Sequence, residues 1–472
     1  MTETLVEVQD LTKFFPVKIP ALQRIVTRDP PVVHAVDGVS FALSKGEVFG
    51  LVGESGCGKT TVGRTVLRLL EPTSGSIRFE GQDITHLMEK EVRPIRKAMQ
   101  IIFQDPHASL NPAMTIGESI ADPLLIHTIA DEAGAKEASL QIMTEVGLSP
   151  AEQLYGKYPG ELSGGQKQRA VIARAMVLRP KFVVADEPVA MLDMSIRARI
   201  LELMLELQAK YGLTYLFITH DLATAKFICD RIAIMYLGRI VEVGDAASIF
   251  SDPKHPYTQA LLAAIPSPDP DARRVKVLPK GEVPDAVNPP QGCRFHPRCP
   301  VATPKCGWEP RDLLDLLDER ALDEEVARRD EAPLGPRSRM RMEGLTLRIR
   351  TGGMGIPPRQ LQRLGLSVVA ASGVYAAIHP FVGAGVLASG SLSLLVTEAL
   401  ARWDSTRHSR ARGDADRARE YLEGLLRIAP EPLAKAVQRL AVDGDNVVIE
   451  CAPSADPGLR TAADREVRCV LY

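Results

Sequence analysis

Short, unbroken apolar runs recur along this chain, and several of them end on side chains of definite chemistry. Residues 46–53, "GEVFGLVG", read as a strand that enters a glycine-rich stretch and then the helical pattern "VGRTVLRLL". Residues 181–188, "KFVVADEP", close on Asp186 and Glu187. A parallel strand buried on both faces reads this way and delivers acids to its C-terminal edge. "LFITHD" is another apolar run, ending at His220, and Ser163-Gly164-Gly165 stands where the helix of "LSGGQKQRAVIARAM" begins. A serine there caps the helix, and the free N–H groups beside it have no phosphate of their own to bind. Tyr257, Leu261 and Leu262 fall on one face of a short helix. Strands and helices in this alternation predict an α/β fold.

The pattern changes after residue 310. Residues 311–340 are charged and read as helical or disordered, and 364–397 then contain no Asp, Glu, Lys or Arg. His379 and Pro380 split this stretch into two runs, each shorter than the roughly 20 residues that span a bilayer. Arg359 and Arg363 precede it, and Arg402, Arg407 and Arg410 follow. A membrane-dipping hairpin with both ends on one side fits, and so does a buried helical pair in a small globular domain; the globular reading is preferred. "EYLEGLLRIAPEPLAKAVQRLAV" reads as further helices and "NVVIECAP" as a strand.

Charge and termini narrow the classes. Lys and Arg number 57 against 59 Asp and Glu, so net charge gives no reason to expect a polyanionic partner such as nucleic acid. The start, "MTETLVEVQDLTKFF", is acidic and lacks the apolar core of a secretory signal, which predicts a cytosolic chain with reduced cysteines.

Residues Gly53, Glu54, Ser55, Gly56, Cys57, Gly58, Lys59, Thr60 and Thr61 match G-x-x-x-x-G-K-[ST] between a strand and a helix, the context in which that motif binds nucleotide phosphates. The glycines let backbone N–H groups point at phosphate oxygens, Lys59 supplies a charge to the β- and γ-phosphates, and Thr60 a hydroxyl to Mg²⁺. Cys57 needs no role of its own. Asp186 is placed to hold the metal's water shell and Glu187 to polarise the attacking water.

With "LSGGQ" the chain resembles the ATP-binding cassette (ABC) ATPases over about residues 4–265. The resemblance implies a P-loop NTPase core, 1–265, with a helical signature subdomain at about 105–170. It also implies roles for single residues. Phe15 stacks on adenine, Gln104 in "IIFQDP" touches Mg²⁺ alongside Thr60 and Asp186, and His220 contacts the γ-phosphate. Ser163, Gly164, Gly165 and Gln166 serve the partner's ATP, and Leu192 and Asp193 belong to a loop that crosses the dimer interface. Ala190 departs from the serine common in the family. One phosphate loop and one signature per chain imply that two cassettes must pair to hydrolyse ATP.

"FPVKIPALQRIVTRDPPVVHAVDGVSF", "QDPHASLNPAMTIGESIADPL" and "HPYTQALLAAIPSPDP" resemble the oligopeptide/dipeptide importer ATPases. That family implies a peripheral subunit on the cytoplasmic face of the membrane. Its partners would be two permease subunits, a related second ATPase and, indirectly, an extracellular peptide-binding protein. A soluble cassette acting on ribosomes or DNA, or an importer ATPase for another substrate such as nickel, is the alternative.

The same family often carries "GCxFHPRCPxAxxxC" followed closely by "VRCxLY". Here 266–310 hold Cys293, Cys299 and Cys306, and Cys469 arrives only in 456–472, which implies a Cys-rich tail interrupted by a mixed, mainly helical insertion, 311–455. Four thiolates suit Zn²⁺ or an iron–sulfur cluster, and the resemblance favours [4Fe–4S]. Cys451 and His296 are alternative ligands, and Cys229 is read as core.

Overall fold

Thr4–Pro16 (β1) and Val32–Ser44 (β2) pair antiparallel, and the run that follows, Val48–Val52 (β3), is buried at all five positions. The computed structural model describes residues 3–18, 30–265, 279, 281–320, 339–350, 414–444, 446–453, 457–462 and 465–469. The chain divides into two units, Met1–Val301 with Asp456–Tyr472, and Ala302–Ala455.

In the first unit, Ser74–Phe79 (β4) and Gln82–Asp83 (β5) join β1 and β2 in a sheet of order β2-β1-β4-β5. Met99–Ile102 (β6), Phe182–Asp186 (β7), Thr214–Thr219 (β8) and Arg231–Tyr236 (β9) run parallel with β3, in the order β9-β3-β8-β7-β6. Arg239–Asp245 (β10) continues this sheet antiparallel beyond β9. The alternation of a strand splits each run between two cores. Val183, Ala185, Tyr215 and Phe217 face one, and Phe182, Val184, Leu216 and Ile218 the other.

Lys59–Val66 (α1) follows β3, and a helical group packs on the Val183 side. Ile120 and Leu124 of Ile116–Ile126 (α2), Ile142 and Met143 of Glu132–Glu145 (α3), and Val171 and Ile172 of Gly164–Met176 (α4) share that core. Met194–Tyr211 (α5) contributes Ile200, Met204 and Leu207, and Pro256–Ala263 (α6) contributes Tyr257 and Leu262. This is the P-loop core with a helical subdomain that the resemblance implies.

The described residues of the second unit mix helix and strand. They include a four-stranded antiparallel sheet, Met340–Glu343 (β11), Thr346–Arg350 (β12), Val437–Asp443 (β13) and Asn446–Cys451 (β14), in the order β11-β12-β14-β13. Leu313 and Leu317 of Pro310–Arg320 (α7), with Leu422 and Leu425 of a helix over 414–428 (α8), pack on Leu347, Ile349, Val447 and Ile449. "VQRLAV", read from sequence as helix, is β13. Helix Glu431–Ala436 (α9) stops before it, and the turn at Gly444, φ 62°, folds β13 back onto the β-branched β14. Ladder pairing with a strongly strand-forming partner outweighs the modest helix preference of Gln, Arg, Leu and Ala. The uncharged stretch 364–397 lies outside the described residues. Among those described, no helix is long and apolar enough to cross a membrane.

The last described residues belong to the first unit: Arg460–Ala462 (β15) pairs with Arg465–Val467 (β16), which pairs antiparallel with β10 through Glu242↔Val467 and Val243↔Glu466.

Candidate nucleotide site

The loop between β3 and α1 tolerates only glycine at its key turns. Gly58 has φ 106°, and a Cβ there would lie 2.0 Å from the Ala35 carbonyl oxygen; at Gly53 it would lie 2.1 Å from that of Met235. Both contacts are with backbone and cannot yield. Lys59, 5 % exposed, donates to the Gly53 and Glu54 carbonyls at 2.8 Å each, so its ammonium is held within the curl of the loop. The loop borders a cavity of about 610 Å³ that also takes in Gln104, Glu187 and His220. Thus β3, β6, β7 and β8 deliver their C-terminal ends to one place, as a parallel sheet must.

At the end of β7 two carboxylates have different surroundings. Asp186 is 2 % exposed, and its Oδ1 accepts the Thr60 hydroxyl at 3.0 Å. Burial raises its pKa, with the Thr60 hydrogen bond and Arg64 opposing. Oxygen donors so placed, at the start of α1, fit a hard cation such as Mg²⁺. Glu187 turns the other way, with φ 48° and its N–H donating to the Ile218 carbonyl at 2.9 Å. That left-handed conformation is uncommon for a non-glycine residue, and such backbone clusters at functional sites. The Glu187 Oε2 accepts Gln104 Nε2 at 3.0 Å and its Oε1 lies 3.1 Å from His220 Nδ1, so both oxygens are oriented.

Other expected residues lie elsewhere. Phe15 is not among those lining the cavity; it pairs across β1 and β2 with Val33, which is, and Lys13 Nζ stands 5.1 Å from its ring. Ser163 caps α4, accepting from the Gln166 N–H at 3.3 Å, while Gln166 Oε1 accepts the Ser163 N–H at 3.0 Å. Ser163 and Gly164 are exposed, and a Cβ built on Gly164 would lie 3.9 Å from Leu192 Cδ2. The signature and the Leu192-Asp193 loop therefore share one surface, where Met191 and Met194 are 62 % and 83 % exposed.

Residues 36–190 match the family model described as ABC transporter, and residues 241–306 match the one described as oligopeptide/dipeptide transporter, C-terminal region. The oligopeptide transport ATP-binding protein AppF of Bacillus subtilis is 48 % identical over 307 residues, 64 % of this chain and 92 % of that protein. The chain belongs to the ABC transporter ATP-binding family. A Sinorhizobium fredii relative, "Probable peptide ABC transporter ATP-binding protein y4tS", is 45 % identical over 322 residues, 68 % of this chain and 90 % of its own. This ABC cassette is accordingly an ATPase.

Sequence reading missed two residues at the back of the phosphate loop. Tyr257 in α6 is fully buried and its hydroxyl accepts the Glu54 N–H at 3.0 Å, while Arg298 pairs with the Glu54 carboxylate at 3.2 Å. Tyr257 had read as ordinary helix packing, and nothing in "FHPRCP" links Arg298 to a loop so distant in sequence.

The four cysteines expected to share one site are described one by one. Among the described residues no group of three or more His, Cys, Asp or Glu is placed to hold a metal ion. Cys306 belongs to the second unit, where its Sγ accepts the Thr303 N–H at 3.2 Å, and Cys293, Cys299 and Cys469 belong to the first. The Cys293 Sγ lies 3.9 Å from His255 Nε2, and Cys469 is buried with Ala462 and Val467. Of the alternative ligands, His296 turns Nδ1 to the Cys293 carbonyl at 2.8 Å, and burial pushes the Cys451 thiol up to about 12. Cys229 is buried in the core, as read.

Proposed function

We propose that this ABC ATPase powers the import of short peptides through a membrane permease, from the cytoplasmic face of the membrane, as one half of a cassette dimer with a related second subunit. The observation that carries the mechanism is the placement of the loop, Glu187, Gln104 and His220 around one cavity that Ser163, Gly164, Gly165 and Gln166 do not line, Ser163 and Gly164 being exposed. Gly53 to Thr61 would hold the phosphates, with Lys59 against the β- and γ-groups. Thr60, Asp186 and Gln104 would hold Mg²⁺, which when bound supplies charge neutralisation to the phosphates. Phe15 would stack on the base. Glu187 orients a water for attack on the γ-phosphorus; the bond to the β,γ-bridging oxygen breaks, and ADP and phosphate leave, with His220 steadying the transferred group. Ser163, Gly164, Gly165 and Gln166 of the facing cassette complete the site, and Leu192 and Asp193 cross between the two. Peptide cargo is drawn from the C-terminal region match and from the relatives' names.

The test is an uptake panel in a strain lacking redundant importers, together with purification from membranes. Loss of peptide uptake on deletion of this chain, and co-purification with two hydrophobic subunits, support the reading. Intact peptide uptake with loss of nickel or sugar uptake overturns the cargo, and co-purification with ribosomes or DNA overturns transport. The [4Fe–4S] or Zn²⁺ reading of Cys293, Cys299, Cys306 and Cys469 plays no part in this mechanism. Iron, sulfide and zinc analysis of anaerobically purified protein decides it, and metal-free protein ends it.

A further inference from the structure

An acidic side chain is out of place in a loop that binds polyphosphate, yet Glu54 stands within this one and lines the cavity. Left unpaired, its carboxylate would repel the nucleotide's phosphates in a partly desolvated site, where charges interact strongly. The cassette's C-terminal region answers this at two points. Arg298 NH1 lies 3.2 Å from Glu54 Oε2, with side-chain exposures of 11 % and 31 %. The same guanidinium group donates to the Tyr236 hydroxyl at 3.4 Å and lies against the rings of Tyr236 and Phe295, centroids 5.9 and 6.0 Å away, which fixes its direction. Meanwhile the Tyr257 hydroxyl takes the Glu54 N–H at 3.0 Å, fixing the backbone of the loop as well.

Tyr257 is itself held. Its ring meets Tyr236 at 4.6 Å and Phe295 at 5.3 Å, and its N–H donates to His255 Nδ1 at 3.1 Å. The N–H groups of Lys254 and His255 both donate to the fully buried Glu242 carboxylate at 2.9 Å, and Arg465 of β16 pairs with that carboxylate at 3.5 Å. A continuous set of contacts thus runs from the last described strand to the second residue of the phosphate loop.

We propose that Arg298 and Tyr257 are positioning residues of the nucleotide site. Arg298 neutralises and turns aside the Glu54 carboxylate, Tyr257 holds the Glu54 backbone, and the C-terminal region thereby sets nucleotide affinity. The inference rests on the loop being the ATP site.

The test measures binding of a fluorescent ATP analogue and a fluorescent ADP analogue to the full-length chain, with steady-state ATPase kinetics. Arg298→Ala should weaken both nucleotides about tenfold at low salt and less at high salt, because the repulsion it unmasks is screened. Tyr257→Phe should weaken both by roughly fivefold, the scale of one net hydrogen bond. In each variant KM for ATP rises while kcat stays within about twofold, since ground state and transition state lose the same contact. The decisive comparison is Arg298→Ala in a Glu54→Gln background, where the repelling charge is gone and affinity should stay within about twofold of Glu54→Gln alone. Arg298→Lys, which keeps the charge, should bind nearly as wild type even if Arg298→Ala is unstable. Wild-type affinity in Arg298→Ala, or a loss of the same size in the Glu54→Gln background, overturns the proposal. A wild-type chain that binds no nucleotide overturns the ATP-site reading instead.

Discussion

Glu187 combines a left-handed backbone with a carboxylate held at both oxygens, by Gln104 and by His220. A glutamine there keeps the shape and the Gln104 contact but loses the ability to take a proton from water. Glu187→Gln should therefore bind ATP as wild type and release phosphate roughly two to four orders of magnitude more slowly, the usual worth of a general base, with a nucleotide-bound dimer accumulating on size exclusion. Unchanged phosphate release would remove Glu187 from its assigned role. At His255 the chemistry concerns stability. Burial pushes its pKa down to about 3 from an ordinary 6.5, only partly offset by a backbone contact from Arg468. Between those values the unfolded chain binds the extra proton, so the stability is fully present above pH 6.5 and lost as pH falls toward 3. From pH 7.5 to 5, urea denaturation should register a loss of about 2 kcal/mol from this residue. His255→Asn, which can still cap α6 but does not titrate, should lack that increment. At this scale the phosphate loop and the Asp186-Glu187 pair were legible because their chemistry follows from residues adjacent in sequence. Tyr257 and Arg298 were not, because what gives them a role is Glu54, 203 and 244 residues away.

Among the elements, the turn at Gly58 and the strand β16 carry the sharpest expectations. Gly58→Ala places a methyl group 2.0 Å from the Ala35 carbonyl at φ 106°, so the loop must deform. Nucleotide binding should fall at least about a hundredfold and stability by more than about 1 kcal/mol, read by nucleotide titration and thermal melting. Arg465→Ala strips the partner from a Glu242 carboxylate that is 0 % exposed. Chemical denaturation should register a cost of about 3 kcal/mol or more, the scale of breaking one side of a buried pair. The same variant loses donations to the Ser248 and Asp252 carbonyls. Strand β3, strand β7 and helix α4 could be read from apolar runs and a cap, whereas β13 could not. Its residues favour helix in isolation, and only the presence of β14 across the turn makes a ladder the better place for its backbone groups.

For the molecule as a whole, the proposed function makes one chain half of a catalytic device, its exposed Ser163 and Gly164 lying outside the cavity lining. ATPase activity per chain should rise with protein concentration and saturate once dimers form, and adding catalytically dead Glu187→Gln chains should lower it out of proportion to their share. Activity strictly linear in concentration down to the lowest measurable level would contradict a dimer requirement. The sequence by itself determined the α/β cassette class, the phosphate loop between β3 and α1 and the acidic pair at the end of β7, since each depends on short-range patterns of apolar runs, caps and motif spacing. Tertiary structure alone decided three things. It joined β16 to the edge of the main sheet and thus tied the tail to the cassette; it made a sheet where propensity favoured helix; and it set Tyr257 and Arg298 behind Glu54. Each depends on which distant segments meet, and contact between distant segments follows from packing the entire chain, which no local window of sequence contains.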